Sequence, residues 1–388
     1  MLRTYFVTAL RYLRKHRSFA TINIVGLGIG LAACLLIMVY IRHELRYDAF
    51  HTNADRIVRA TMEFKMADEV NKVATTGTKL GPESQRQFPE VETFVRTFIT
   101  SRVIQVNDQV IEEQGILYAD KDLFKVFSFD LLEGDMTSAL DAPDKIVVTA
   151  STARRIFGTT QALGKMVQMG NTSYQVSGVC ADPPAHSQLK FTMVTDFLNL
   201  GSNAREEQWW TANWITYLLL KPGTDISTFE RKLNTYMRTE AVRTEARLEG
   251  ESYLMFHLQP IRDVHLYSNL DGHEPNGSIR YLYMFGMVAL LILLIACANY
   301  TNLATAQSAG RASEMGMRKA LGAGRRDLFW QFMGESTAIA LLSGVLAFGM
   351  AWLALPALNH ITGQAFGLHN LLDPLLLCAL RVLLIVVG

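Results

Sequence analysis

Catalytic signatures are what this sequence lacks. Neither Gly-x-Ser-x-Gly nor His-Glu-x-x-His occurs in its 388 residues, so no nucleophile elbow and no zinc pair on one helix face is encoded in the usual form. Excess charge is missing too. The 37 Lys+Arg nearly balance 36 Asp+Glu, for a formal net charge of +1, which argues against nucleic acid as a partner. Cysteine is scarce, with four in the chain. Cys34, Cys297 and Cys378 lie in apolar runs; Cys180 alone falls in the long polar middle, so no intrachain disulfide is expected there.

Two glycine patterns resemble nucleotide sites and fail as such. "GTTQALGKM" (residues 158–166) has five residues between its glycines, and Met166 stands where a magnesium-binding hydroxyl is needed. "GLGIG" (residues 26–30) sits inside an apolar run, where small residues serve close helix approach instead. His257, His265 and His273 recur every eight residues with Glu274 nearby. That spacing aligns no ligands on one helix, so a polar connector is expected rather than a metal site.

What the chain has in abundance is concentrated apolarity: 49% of residues are hydrophobic. Residues 22–41 carry no charge, nor do residues 281–298 or 337–358. About 20 apolar residues cross a bilayer core as a helix, so each run is long enough to span. Residues 371–388 begin a fourth run, interrupted by Asp373 and Arg381, and read as an incomplete fourth span. "LAAC" (residues 31–34) matches a lipoprotein signal, but apolar residues continue beyond Cys34, which favours a retained anchor.

The flanks set an orientation. Arg3, Arg11, Arg14, Lys15 and Arg17 precede the first run with no acid among residues 1–19. Arg311, Arg318, Lys319, Arg325 and Arg326 follow the second run. Between them, residues 42–280 hold 26 Lys+Arg against 32 Asp+Glu. Positive loops stay inside, so the basic stretches are expected in the cytoplasm and the acidic segment outside. The expected order is a basic amino-terminal helix (1–21), span 1 (22–41), an outer domain (42–280) and span 2 (281–304). A cytoplasmic region (305–335), span 3 (336–358), an outer loop (359–370) and a partial span 4 (371–388) follow.

The outer segment alternates strand and helix patterns. "DRIVRATMEF" and "VRTFIT" read as strands, and "KLGPESQRQFPEVETF" holds a short helix. "SRVIQVNDQVIEEQGILYAD" reads as a hairpin turning at Asn107–Asp108. "KIVVTASTARRIFG" passes from strand to helix with Ser151 or Thr152 as the cap. Phe229, Leu233, Tyr236 and Met237 form a core-facing helical stripe. The fold class is therefore a helical transmembrane bundle of three spans and a partial fourth. A large α+β domain of two subdomains is inserted between spans 1 and 2.

The cytoplasmic stretch "GRASEMGMRKALGAGRRDLFWQF" (residues 310–332) is longer than a turn requires. Glu314 and Arg318 stand i, i+4 on a helix. Met315, Ala320 and Leu321 supply an apolar element that Gly322 and Gly324 terminate. Beyond the break, Leu328, Phe329, Phe332 and Met333 suit the membrane interface, with Arg325 and Arg326 at the headgroups.

"RASEMGMRKALGAGRRDLFWQFMGES", following "LLIACANYTNLATAQS", resembles the signature of the MacB/FtsX-like permeases of ABC transporters. The stretch from "HRSFATINIVGLGIGLAAC" through "YDAFHTNADRIVRATME", and "FGTTQALGKMV" with "YQVSGVCADPPAHSQLKF", are similar to that family's first span and periplasmic core domain. The resemblance implies four spans in the inner membrane and a short coupling element docking on an ABC ATPase. That ATPase binds ATP and magnesium; the chain itself carries no cofactor and is not an enzyme. By position, the coupling residues are Glu314, Met315, Gly316, Arg318, Lys319, Leu321, Gly322 and Ala323. A second permease copy or tandem half, a periplasmic adaptor or an outer-membrane channel are the other implied partners, besides the lipid bilayer. Mechanotransmission of ATPase strokes, for export or extraction of hydrophobic, peptide or lipidated cargo, is the implied activity. The alternative is an FtsX-like regulator of a cell-wall hydrolase or signalling partner.

Overall fold

The computed structural model describes residues 17–66, 69–107, 109–210, 212–310, 317, 320 and 324–387. Two units make up the chain. One comprises Met1–His43 with Ile279–Gly388, the other Glu44–Ser278.

Long helices build the first unit. Helix Arg17–Leu45 has 29 residues, helix Ile279–Gly310 is apolar to Ala306, and helix Arg325–Thr362 is apolar from Met333. All three are long and apolar enough to cross a membrane. A shorter apolar helix, Pro374–Val387, follows them. Leu27, Leu31 and Leu35, one helical turn apart, pack with Ala347, Ala351, Leu355, Leu376 and Leu380. The glycines of "GLGIG" meet neighbouring helices, as expected. A Cβ on Gly30 would lie 2.7 Å from the Cβ of Ala296, and one on Gly28 would lie 3.1 Å from Leu346. Missing side chains thus allow the backbones to approach. Asp373, the acid that interrupts the fourth apolar run, receives the Arg42 Nε–H at 2.7 Å.

The amphipathic segment leads into the third apolar run as one continuous helix from Arg325. One expectation for this unit changes. That helix runs on to Thr362, where Gly363 in the left-handed region (φ 68°) donates to Asn359 O and ends it. Of the expected basic helix over residues 1–21, residues 1–16 lie outside the described residues.

The second unit is built on one sheet of 11 strands. They are β1 (Ile57–Met66), β2 (Glu69–Val73), β3 (Val91–Val106), β4 (Gln109–Ala119), β5 (Leu131–Gly134) and β6 (Lys145–Thr149). Then come β7 (Met166–Met169), β8 (Thr172–Cys180), β9 (Met193–Asp196), β10 (Ile215–Leu220) and β11 (Tyr253–Pro260). The order is β11-β1-β10-β3-β4-β9-β6-β8-β5, with β2 on β1 and β7 bridging β3 and β8. Pairing is antiparallel except at β4–β9 and β6–β8. The two expected subdomains are therefore not separate sheets: β3 and β4 run through both halves.

Strand β1 is central, so both its faces are covered. Val58, Ala60 and Met62 enter a cluster with Phe229, Leu233 and Met237 of helix Ile226–Met237. Ile57 enters a different cluster with Phe127, Tyr217 and Val264. By the two-residue period of a strand, Arg59 shares the Ile57 face. The expected hairpin is β3–β4, with Asn107 at positive φ (53°); Asp108 lies outside the described residues. The cap of helix Ala150–Phe157 is Thr149, two or three residues earlier than the sequence suggests, because its hydroxyl accepts from Thr152 N–H.

Candidate functional site

The coupling residues Glu314, Met315, Gly316, Arg318, Lys319, Leu321, Gly322 and Ala323 all lie outside the described residues. The described part of the chain shows instead how the Glu44–Ser278 unit holds its own two ends. These are the segments through which it joins the helices Arg17–Leu45 and Ile279–Gly310.

The incoming segment is pinned by short-range polar chemistry. Asp48 is a non-glycine residue at φ 53°, a conformation that aspartate adopts more readily than most residues. Its Oδ1 accepts the Gln188 N–H at 2.9 Å and the Ser187 hydroxyl at 3.3 Å, while its own N–H donates to His186 O at 2.9 Å. His51 Nδ1 accepts the Ser128 N–H at 3.1 Å, so its ring proton sits on Nε2, which faces Asp48 Oδ1 at 3.7 Å. Rings of Phe50, Phe127 and Phe129 surround this imidazole. Arg56 then reaches Asn53, Glu92 and Leu220 O, which ties the segment to β3 and β10.

The outgoing segment, residues 268–278, is an irregular strap laid on the same unit. His265, at the end of β11's following helix Ile261–Tyr267, shares a 2.9 Å hydrogen bond with Glu44, and both are buried. The Tyr47 ring stacks on His265 with centroids 3.6 Å apart and planes 6° from parallel. Burial pushes the Tyr47 hydroxyl upward, with nearby Glu274, Asp48 and Glu44 adding to it. Gly277 crosses directly over the pair: a Cβ there would stand 2.8 Å from His265 Nε2 and 2.9 Å from Glu44 Oε2. Only glycine lets the strap pass so close.

Further along the strap, Ser268 Oγ accepts from Arg59 Nη2 at 2.7 Å. His273 Nε2 meets Thr97 Oγ1 at 2.7 Å, and Glu274 accepts from Lys190 at 2.9 Å. The His273 imidazole is pushed down to about 3, first by desolvation and then by the Arg59 charge. Of the three histidines read as a polar connector, His265 and His273 thus anchor the strap. His257 lies on β11 between Glu63 (2.8 Å) and Glu230 (3.3 Å). Among the described residues no group of His, Cys, Asp and Glu is arranged to hold a metal ion.

Sequence reasoning missed Glu44, Tyr47, Asp48 and Arg59. The available signal was their density: "RHELRYDAFH" packs two acids, two histidines and two aromatics into the first ten residues beyond the apolar run. These hydrogen bonds hold both end segments of the unit on its own sheet.

Comparison with known proteins agrees with the sequence resemblance. The MacB-like periplasmic core domain model matches residues 20–236, and the FtsX-like permease C-terminal model matches residues 286–388. The macrolide export ATP-binding/permease protein MacB of Escherichia coli is 22% identical over 385 residues, covering 92% of this chain and 52% of that protein. Its counterpart in Bdellovibrio bacteriovorus is 22% identical over 212 residues, 53% of this chain and 30% of that protein. The chain spans about half the length of the Escherichia coli relative. Among solved structures, the periplasmic region of MacB from Actinobacillus actinomycetemcomitans overlaps 53% of this chain and 90% of its own. It does so at 11% identity and a TM-score of 0.37. With more than half of its length matched by the first family model and its carboxy-terminal part by the second, the chain belongs to the MacB/FtsX-like ABC transporter permease family, with an amino-terminal MacB-like periplasmic core domain.

Proposed function

We propose that the chain is the transmembrane subunit of a bacterial ABC transporter, lying in the inner membrane with its amino terminus cytoplasmic and Glu44–Ser278 in the periplasm. A separate ATPase subunit, which binds ATP and magnesium, docks on residues 305–335. Glu314, Arg318 and Lys319 offer it charges, Met315 and Leu321 an apolar contact, and Gly316, Gly322 and Ala323 the close approach. Its stroke shifts the two helices flanking the periplasmic domain, and the domain moves with them. The chain catalyses nothing itself. The cargo is hydrophobic, peptide-like or lipidated, and is exported or extracted at the outer side. A second copy or tandem half completes the enclosure, and an adaptor or outer-membrane channel receives the cargo.

The observation that carries this reading is the anchoring of both ends of the domain. Glu44 with His265, and Thr97 with His273, bond the incoming and outgoing segments to the sheet unit at 2.9 and 2.7 Å. Slack linkers would dissipate a helix displacement, whereas bonded ones pass it on. The basic, acid-free residues 1–19 support the orientation. The test is charge reversal at Glu314, Arg318 and Lys319 in protein that still inserts. An ATPase should co-purify with the native chain from membranes and be lost from the variant. Equal recovery of the ATPase, with its turnover unchanged, would sink the assignment.

A further inference from the structure

Arg59 is a fully buried arginine without a carboxylate. One nitrogen, Nη2, donates to Gln259 Oε1 at 2.8 Å, to Ser268 Oγ at 2.7 Å and to Leu270 O at 3.4 Å, all neutral acceptors. Its Nε and Nη1 have no hydrogen-bond partner among the described residues. Desolvation pulls the guanidinium below its ordinary range, and the electrostatic influence that accompanies it is the buried Tyr217, not an acid. Arginine does not shed its proton in a protein, so this is a buried and uncompensated positive charge, a costly state.

The cover over this charge is the strap. Gly272 lies against it, since a Cβ there would be 2.8 Å from Nη1 and 3.4 Å from Gln188 Oε1. Other polar atoms at the same contact are also unmatched: Gln188 Nε2, Asn276 Oδ1 and His265 Nδ1. The attachments of the strap are few and polar: His273 to Thr97, Glu274 to Lys190, and Ser268 and Leu270 to one nitrogen of Arg59. No strap residue joins an apolar cluster of the unit. Apolar packing would make release costly. A polar, under-paired contact over a trapped cation makes release cheap, because water satisfies every group that opening exposes.

We propose that residues 268–278 form a releasable latch and that Arg59 is the spring beneath it. Closed, the strap lies bonded on the sheet of its own unit, up to the residue before the helix that starts at Ile279. Open, it hydrates the whole guanidinium, which offsets the loss of the His273, Glu274, Ser268 and Leu270 bonds. Arg59 is thus a positioning residue whose charge keeps the link breakable. Use of the latch during a transport stroke rests on the function proposed above; its existence does not.

The test is hydrogen exchange of the strap amides in the full chain in lipid nanodiscs, with no ATPase or nucleotide, so that its failure is separate from that of the coupling assignment. Arg59→Met removes the charge and keeps an apolar stem. Strap exchange should slow at least tenfold while exchange of β3 and β10 is unchanged. Gly272→Ala, which presses a methyl group on Nη1, should speed strap exchange, and Arg59→Met should abolish that effect. Equal or faster strap exchange in Arg59→Met, with the sheet still protected, would make Arg59 an anchor and overturn the proposal. If Arg59→Met does not fold, Gly272→Ala alone decides, since unchanged exchange there also overturns it.

Discussion

Glu44 and His265 stand 221 residues apart in sequence and share a 2.9 Å hydrogen bond, with Tyr47 stacked on the imidazole. The pair closes the domain where its chain begins and ends. Removing one member strands the other, because His265 Nδ1 already lacks a partner. Glu44→Ala should lower the stability of the domain by about 3 kcal/mol, and Glu44→Gln, which keeps a hydrogen-bonding oxygen, by about 1 kcal/mol. Denaturation followed through Trp209 and Trp214, both in the core of that unit, measures the difference. Equal losses would mean that packing, not the polar contact, holds the site.

A second buried arginine behaves differently. Arg96 makes a paired contact with Asp120, Nε to Oδ2 at 2.9 Å and Nη2 to Oδ1 at 2.7 Å, and its guanidinium lies 4.2 Å from the centre of the Phe197 ring. Arg96→Met leaves the carboxylate without its counterion and should cost about 3 kcal/mol, against under about 1 kcal/mol for Arg59→Met. The same unfolding measurement ranks the two. Arg59→Met as damaging as Arg96→Met would contradict the contrast drawn from their partners.

Close helix approach depends on Gly30. Gly30→Leu must displace Ala296, which a new Cβ would meet at 2.7 Å, and should lower stability by about 2 kcal/mol. Gly286→Leu is the control, since a Cβ there meets Ile41 at 4.0 Å. Thermal unfolding in detergent should separate the two variants by several degrees.

Acid should loosen the strap. His273 has a folded value, about 3, below its ordinary 6.5, so the open strap binds the proton more readily than the closed one. The closed form keeps this contribution above about pH 6.5 and loses it as pH falls toward the folded value, by up to tenfold in the opening equilibrium per pH unit. Arg59 faces His273 from β1 and Thr97 from β3. Glu274 with Lys190, and His265 with Glu44, are the charged and titratable groups beside it along the strap. Exchange of residues 268–278, corrected for the intrinsic pH dependence, should quicken between pH 6.5 and 5. The acceleration should vanish in His273→Gln.

Some elements were legible because their signal is local. Of the stripe Phe229, Leu233, Tyr236 and Met237, three residues are buried as the helical period requires, and Tyr236 packs against the same cluster partly buried. The Asn107 turn announces itself through a residue that accepts positive φ. "GLGIG" pointed to helix contact because glycines within an apolar run have no other evident use. The cap at Thr149 was misplaced by two or three residues, since several adjacent hydroxyls satisfy the same rule and only the backbone path selects one.

Composition and periodicity by themselves determined where the apolar helices lie and the strand-rich character of the middle segment, and the resemblance to the family lay in short motif stretches. Each of these is written in neighbouring residues. Only the tertiary structure decided that β1 runs between β10 and β11, so that Arg59 is shut under the strap, and that Glu44 meets His265. Such pairings join residues about two hundred positions apart, and neither partner carries a mark of the other in its local sequence. Whether a charge is buried or solvated is set by what the rest of the chain lays over it. At this site a glycine-bearing strap lies over Arg59 and leaves two of its three nitrogens unmatched.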